Sequence, residues 1–252
     1  MKKVLIFWLW RQWRKYVDFF TEREYEITWV TRSWESFLNI KYIYSYDFLS
    51  RQKESFFWEF QYIVVAVLPE ISQKRVIAYL LRLNISNQVI VEKPVTQDIS
   101  LLEKLVKKQN FCFFIDEIPL HFLYTKVFPL WCETIIYTSE KKVASIQNIF
   151  EHAIWGFLLW NIYESKIQKN LKVSFLKSKS HYTDTFYLII SKEHTLLYSR
   201  GITYIDKKKI SSSIFFKDSL AYILSLDELS QKRIKESFLI FRKYFLQIKT
   251  SL

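Results

Sequence analysis

At 252 residues, half of them hydrophobic, the chain can bury the core of one large domain or two small ones. No apolar run reaches the roughly 18 residues that a membrane-spanning helix needs. Cys112 and Cys132 are too few for a disulfide framework and lack metal-ligand spacing, so a reducing cytoplasm and no metal are expected. The net charge is +12, but the basic residues are scattered and only Lys207 to Lys209 form a compact run. Neither a nucleic-acid nor a membrane partner is expected, and the charge favours anionic small ligands.

The first half reads as strands alternating with helices. Residues 3–8 are a continuous apolar strand, and 11–22 have helical spacing with Tyr16, Phe19 and Phe20 on one side. The opening Met1-Lys2-Lys3 before an apolar stretch resembles a signal peptide, but Arg11, Arg14 and Lys15 interrupt it too soon and no small-residue cleavage site follows. Further strands are expected at 25–31, 42–46, 62–68, 88–92 and 111–115. Helices are expected at 72–83, with Ser72 as N-cap, and at 98–109 after Asp98. This rhythm implies a doubly wound parallel sheet over residues 1–118. From 119 onward it changes. Residues 119–131 read as helical or irregular, 133–137 and 143–150 as strands, and 152–163 as a short helix. Strand-like runs at 171–177, 184–191 and 195–204 suggest an antiparallel meander, and 217–247 a long helix broken near Asp227. The second domain, 119–252, is therefore a smaller α+β unit with an open antiparallel sheet.

Residues 4–13 read VLIFWLWRQW. With glycine for Trp8, Trp10 and Trp13 the run becomes VLIFGLGRQG, a strand entering the G-x-G-x-x-G turn of a dinucleotide-binding βαβ unit. In that turn the first glycine bends the chain, the second admits the pyrophosphate and the third lets the helix close on the strand. An indole does none of these. The chain has 2 glycines and 9 tryptophans, where usage of roughly 7% would give about 18 glycines. Trp29, Trp34 and Trp155 also stand where glycine is natural. The expectation is that many of these tryptophans are glycines encoded by UGA. The alternative is a tryptophan-rich protein with no nucleotide site. Trp8, Trp10, Arg11, Gln12 and Trp13 are thus the expected cofactor turn.

Open α/β sheets bind ligands beyond the carboxyl ends of their strands. Arg32 and Ser33 follow the second strand, where an acidic residue would bind a ribose hydroxyl and an arginine accommodates a 2′-phosphate. Arg32 therefore favours NADP over NAD. Leu68 and Pro69 after the fourth strand, and Glu92 at the end of the fifth, complete the expected cofactor contacts. Lys93, fixed by Pro94 at that edge, points to the ligand crevice. Asp116 and Glu117 follow the sixth strand and either bind substrate hydroxyls or cap the next helix.

Together the 4–13 turn, the run 62–69 (YIVVAVLP) and the run 89–94 (VIVEKP) with its following helix resemble the Gfo/Idh/MocA oxidoreductases, the group of glucose–fructose oxidoreductase and inositol dehydrogenase. The closing helix from Phe216 is similar to the family's returning C-terminal segment. The resemblance implies a Rossmann domain and a second domain with an open antiparallel sheet, through which the chain can form homo-oligomers. It also implies NAD(P)-dependent hydride transfer at an oxygen-bearing carbon of a sugar, cyclic polyol or related small molecule, with Lys93 at the active site. The chain is short for the family, so a trimmed substrate domain is expected. The family's downstream Asp-x-x-x-His is not matched. Glu151-His152 stands at the head of a predicted helix, which makes His152 the candidate acid/base by location and His121 its rival. Two other readings stay open: a reductase of an imine or a tetrapyrrole, and a non-enzymatic Rossmann relative acting as a binding or regulatory module.

Overall fold

The computed structural model describes residues 2–8, 13–31, 42–45, 49, 51–67, 74–92, 95–96, 98–114, 133–139, 172–178, 186–190, 195–199, 202–205, 207–210 and 212–251. They fall in two compact units, Met1–Ile115 and Asp116–Leu252.

The first unit is built on six strands: β1 (Lys3–Trp8), β2 (Glu26–Thr31), β3 (Tyr42–Ser45), β4 (Tyr62–Ala66), β5 (Gln88–Glu92) and β6 (Phe111–Phe114). They lie in the order β3-β2-β1-β4-β5-β6, and every neighbouring pair is parallel. A parallel sheet is covered on both faces, so its strands are apolar throughout rather than alternating. Val4 to Phe7, Ile63 to Val65, Val89 to Val91 and Phe111 to Phe114 are accordingly buried.

Three crossover helices cover the sheet: α1 (Trp13–Thr21), α3 (Lys74–Arg82) and α4 (Ile99–Lys107), with a short α2 (Glu54–Phe57) ahead of β4. Each buries an apolar stripe at helical spacing: Tyr16, Phe19 and Phe20 in α1; Val76, Ile77 and Leu80 in α3; Leu101, Leu102 and Leu105 in α4. The strand order reverses between β1 and β4. Because such crossovers are right-handed, that reversal sends α1 to one face and α3 and α4 to the other. The helices fall inside the expected ranges with shorter ends, and Ser72 lies outside the described residues. The single turn α2 has no sequence periodicity to announce it.

Helix α1 stops in a Schellman arrangement. Glu24 N–H donates to Thr21 O at 3.0 Å and Tyr25 N–H to Phe20 O at 3.0 Å. The Phe20 and Tyr25 rings meet edge to face at 5.3 Å, the apolar contact that accompanies this motif. The left-handed residue is Glu24, with φ 60°, where glycine is usual.

The second unit holds β7 (Glu133–Ser139), β8 (Lys172–Ser178), β9 (Phe186–Ile190), β10 (Thr195–Ser199), β11 (Ile202–Ile205) and β12 (Lys208–Ile210), followed by α5 (Ser212–Ser225) and α6 (Glu228–Ser251). The sheet order is β12-β11-β10-β9-β7-β8. It is antiparallel except that β7 and β8 run parallel. The antiparallel meander expected over 171–204 runs from β9 to β11, but β7 lies between β8 and β9 in the sheet. More than thirty residues, 140–171, connect β7 to β8, ample for the crossover that a parallel pair requires. The expected strand 195–204 is two strands, β10 and β11, paired from Ser199 with Ile202 outward. A two-residue connection at Arg200 and Gly201 favours a hairpin over one long strand. The expected strand 143–150 and the segments 119–131 and 152–163 lie outside the described residues.

The closing helix begins earlier than expected, at Ser212, and is divided before Glu228. Asp227 causes the break: its carboxylate accepts the Ser230 N–H at 2.7 Å and caps α6. That bond holds its carboxyl below the usual carboxylate range. Phe216, Ser219, Leu220 and Ile223 in α5, and Gln231, Ile234, Lys235 and Phe238 in α6, are the buried positions of two stripes with one spacing. Among the described residues, no helix is long and apolar enough to cross a membrane.

Candidate functional site

All six strands of the first unit are parallel, so their carboxyl ends share one edge. The segments expected to carry chemistry each leave from that edge. Residues 9–12 join β1 to α1; Arg32 and Ser33 follow Thr31 of β2; Leu68 and Pro69 follow Ala66 and Val67 after β4; Lys93 follows Glu92 of β5. In register, Trp8 stands beside Ala66 and Glu92 beside Phe114. The turn after β1 therefore lies where the strand order reverses, the position at which open α/β sheets form their ligand crevice. Only four residues separate β1 from α1. The strand thus feeds almost directly into a helix N-terminus, with its unpaired N–H groups and positive dipole end.

Of the residues singled out, Trp8 ends β1, Trp13 begins α1 and Glu92 ends β5. Trp10, Arg11, Gln12, Arg32, Ser33, Leu68, Pro69, Lys93 and His152 lie outside the described residues, as do Asp116, Glu117 and His121.

The described residues that flank Lys93 in sequence each have partners in the first unit. Before it, Glu92 is buried and its carboxylate accepts a hydrogen bond from the Tyr16 hydroxyl of α1. Tyr16 is fully buried and its ring meets Phe114 of β6 edge to face at 6.1 Å. Beyond it, Val95 and Thr96 are buried. Thr96 Oγ1 accepts the Asp98 N–H at 3.1 Å, and Asp98 Oδ1 accepts the Leu101 N–H at 3.1 Å as the N-cap of α4. Lys74, at the start of α3, reaches Asp98 Oδ2 at 2.5 Å. The Lys74 ammonium and the Leu101 N–H both favour the charged carboxylate and hold the Asp98 carboxyl below its ordinary range. Glu92 is thus tied to α1, and Asp98 to α3 and α4.

Sequence periodicity assigned Tyr16 to the apolar stripe of α1. The signal it passed over was a hydroxyl on a buried face, since a buried tyrosine O–H takes a partner. The Lys74–Asp98 pair had no sequence signal, because the two residues belong to different crossovers. Among the described residues there is no cluster of three or more histidine, cysteine or acidic side chains able to hold a metal ion.

No protein-family model and no curated protein matches the chain. Solved structures do. A variant of KijD10, a 3-ketoreductase from Actinomadura kijaniata in complex with TDP-benzene and NADP, aligns with a TM-score of 0.63 at 12% identity, over 99% of this chain and 97% of that one. The WlbA (WbpB) dehydrogenase from Thermus thermophilus, in complex with NAD and UDP-GlcNAcA, aligns with a TM-score of 0.58 at 11% identity, over 96% and 95%. The dehydrogenase MviM from Clostridium difficile aligns with a TM-score of 0.60 at 12% identity, over 100% and 99%. At such identities the likeness is one of fold: a Rossmann-type doubly wound sheet followed by a second unit on a largely antiparallel sheet.

Proposed function

We propose that the protein is an NAD(P)-dependent oxidoreductase of the Gfo/Idh/MocA type. It would transfer hydride between nicotinamide and a secondary alcohol or carbonyl carbon of a sugar-like small molecule. The observation that carries this reading is the four-residue connection from β1 to α1 at the point where a parallel sheet reverses its strand order. The fold neighbours support it: two are solved with NADP or NAD, one of these being a ketoreductase and the other a dehydrogenase. UDP-GlcNAcA in one of them favours a nucleotide-linked sugar as the substrate class.

As tryptophans, residues 8, 10 and 13 do not suit a dinucleotide turn, because a residue with an indole cannot replace the glycines that make the tight turn, admit the pyrophosphate and let the helix close on the strand. As glycines they fit. We therefore take the natural residues to be glycine, encoded by UGA. The backbone N–H groups of the turn and of the start of α1 would then hold the pyrophosphate, and Arg32 would accommodate the 2′-phosphate of NADP. When bound, the nicotinamide supplies or accepts the hydride. Lys93 hydrogen-bonds the substrate oxygen, polarises it and exchanges its proton. His152 is the candidate for a second proton-transfer role, and assembly through the second sheet in a reducing cytoplasm belongs to the same reading. Tryptophans at the three turn positions in the natural protein would instead favour a non-enzymatic binding module.

The test is NADPH binding by the natively produced protein, followed by turnover of a panel of nucleoside-diphosphate sugars by that protein and by Lys93→Ala. We expect Lys93→Ala to bind NADPH normally and to lose at least about a hundredfold in kcat, the lower end for a positioned proton-transfer group. The loss should appear equally in kcat/KM, as for an interaction made in the transition state. Near-normal turnover by Lys93→Ala would overturn the mechanism.

A further inference from the structure

We infer that Tyr16 and Glu92 form a positioning pair that ties the first turn of the cofactor helix to the strand end carrying Lys93. The inference rests on the oxidoreductase reading of Lys93 and gives Glu92 a part distinct from direct cofactor contact. Tyr16 lies three residues after Trp13, within the first turn of α1, and its hydroxyl donates to the Glu92 carboxylate. Both residues are buried, Tyr16 at 0% and Glu92 at 9% exposure.

Stability alone is a weak reason for such a pair. A carboxylic side chain loses its hydration on burial, and well-packed apolar residues of like volume serve a core at least as well. Neighbouring strand ends are wholly apolar: Val64 and Val65 in β4 and Phe113 and Phe114 in β6 are buried. The polar exception falls on the residue immediately before Lys93. A planar peptide unit joins Glu92 to Lys93, so only ψ of Glu92 and φ of Lys93 separate the held residue from the working one. Fixing the Glu92 side chain against α1 therefore fixes the frame from which Lys93 departs. Val95, at 0% exposure, and Thr96 hold the other end. The same bond makes α1, whose N-terminus follows the cofactor turn, a mechanical neighbour of the lysine. Occupation of the turn is felt at Lys93 through Tyr16.

The experiment reads Lys93 directly and needs no substrate. The natively produced protein, Tyr16→Phe, Glu92→Gln and the double variant are treated with an amine-acylating reagent, and labelling of Lys93 is followed by peptide mass spectrometry. Exposed Lys104 and Lys107 of α4 serve as internal references. Both single substitutions nearly conserve volume, and Tyr16→Phe keeps the ring that packs on Phe114. We expect each to change the Lys93 rate at least about twofold, the factor corresponding to a hydrogen bond at the lower end of its usual net strength. The references should hold constant, and the double variant should change Lys93 no more than either single one. NADPH should protect Lys93 in the unmodified protein and less so in the variants. A purely structural role would speed all three lysines together. Should Tyr16→Phe unfold, Glu92→Gln decides. An unchanged Lys93 rate in Glu92→Gln overturns the pair. Failure of the unmodified protein to bind NADPH overturns the oxidoreductase reading instead, and the labelling comparison still decides the pair.

Discussion

Replacing Asp98 tests whether the exit of the Lys93 connection is held as the structure shows. Asp98→Ala removes the N-cap bond to Leu101 N–H at 3.1 Å and the ion pair with Lys74 at 2.5 Å. Loss of an N-cap costs about 1 kcal/mol. The ion pair is partly exposed, with Lys74 at 55% and Asp98 at 30%, which limits it to about 0.5 kcal/mol. The expected total is about 1.5 kcal/mol. With an unfolding entropy of about 2.1 cal/mol/K per residue, this lowers Tm by about 6 °C if the first unit melts as its own transition, and by about 3 °C if the whole chain melts together. Asp98→Asn keeps the cap and loses only the charge, so it should fall within about 2 °C of the parent. The comparison also has a pH signature. Because the Asp98 carboxyl is held below its ordinary range by Lys74 and by the Leu101 N–H, its charge stabilises the fold above the unfolded value of about 4. That contribution is lost as pH falls through the lower folded value. Thermal melts followed by circular dichroism at pH 7 and at descending acid pH read both effects. An alanine variant within about 1 °C of the parent, or an asparagine variant as damaging as alanine, would refute the cap and the clamp built on it.

Four further outcomes are expected. Codons 8, 10, 13, 29 and 34 should be UGA and mass spectrometry of the natively produced protein should find glycine there; UGG at 8, 10 and 13 would end the recoding reading. Position 29 is the strictest of these, because Trp29 is buried within β2 beside Ile6 and Ile43. NADPH should bind a chain with glycine at 8, 10 and 13 and not the chain with tryptophan, as judged by nicotinamide fluorescence; equal binding would remove the turn from the phosphate site. In the glycine form, Arg32→Asp should move the NADP/NAD preference by at least about tenfold toward NAD, since a charge-assisted contact is worth roughly 1.5–3 kcal/mol; an unchanged ratio makes Arg32 a bystander. Glu24→Gly should raise stability by about 0.5–1 kcal/mol by relieving the left-handed φ of 60°, and a lower Tm would contradict the Schellman geometry.

The alternation of apolar runs with helical stripes was sufficient to locate all six parallel strands and the three crossover helices of the first unit. Burial on both faces makes such strands continuously apolar, and that is a local property of composition. The same holds for Asp98 and Asp227, whose carboxylates accept backbone N–H groups three residues on in the same chain segment. The carboxyl-edge placement of the turn, Arg32, Leu68 and Lys93 also follows from strand ends alone, once the sheet is parallel. The second unit was less legible. Whether 195–204 is one strand or two depends on pairing partners, and the parallel β7–β8 pair depends on where a long connection returns. Neither leaves a mark in a period of two. What only the tertiary structure decided is which polar groups meet across elements. Tyr16 and Glu92 are 76 residues apart and Lys74 and Asp98 are 24 apart. Each residue, taken alone, is an ordinary member of a helix face or a strand end. Their pairing arises because the sheet order sets β5 next to β4 and β6 and the crossovers bring α1, α3 and α4 back over the strand ends, a geometry fixed by packing rather than by any local pattern.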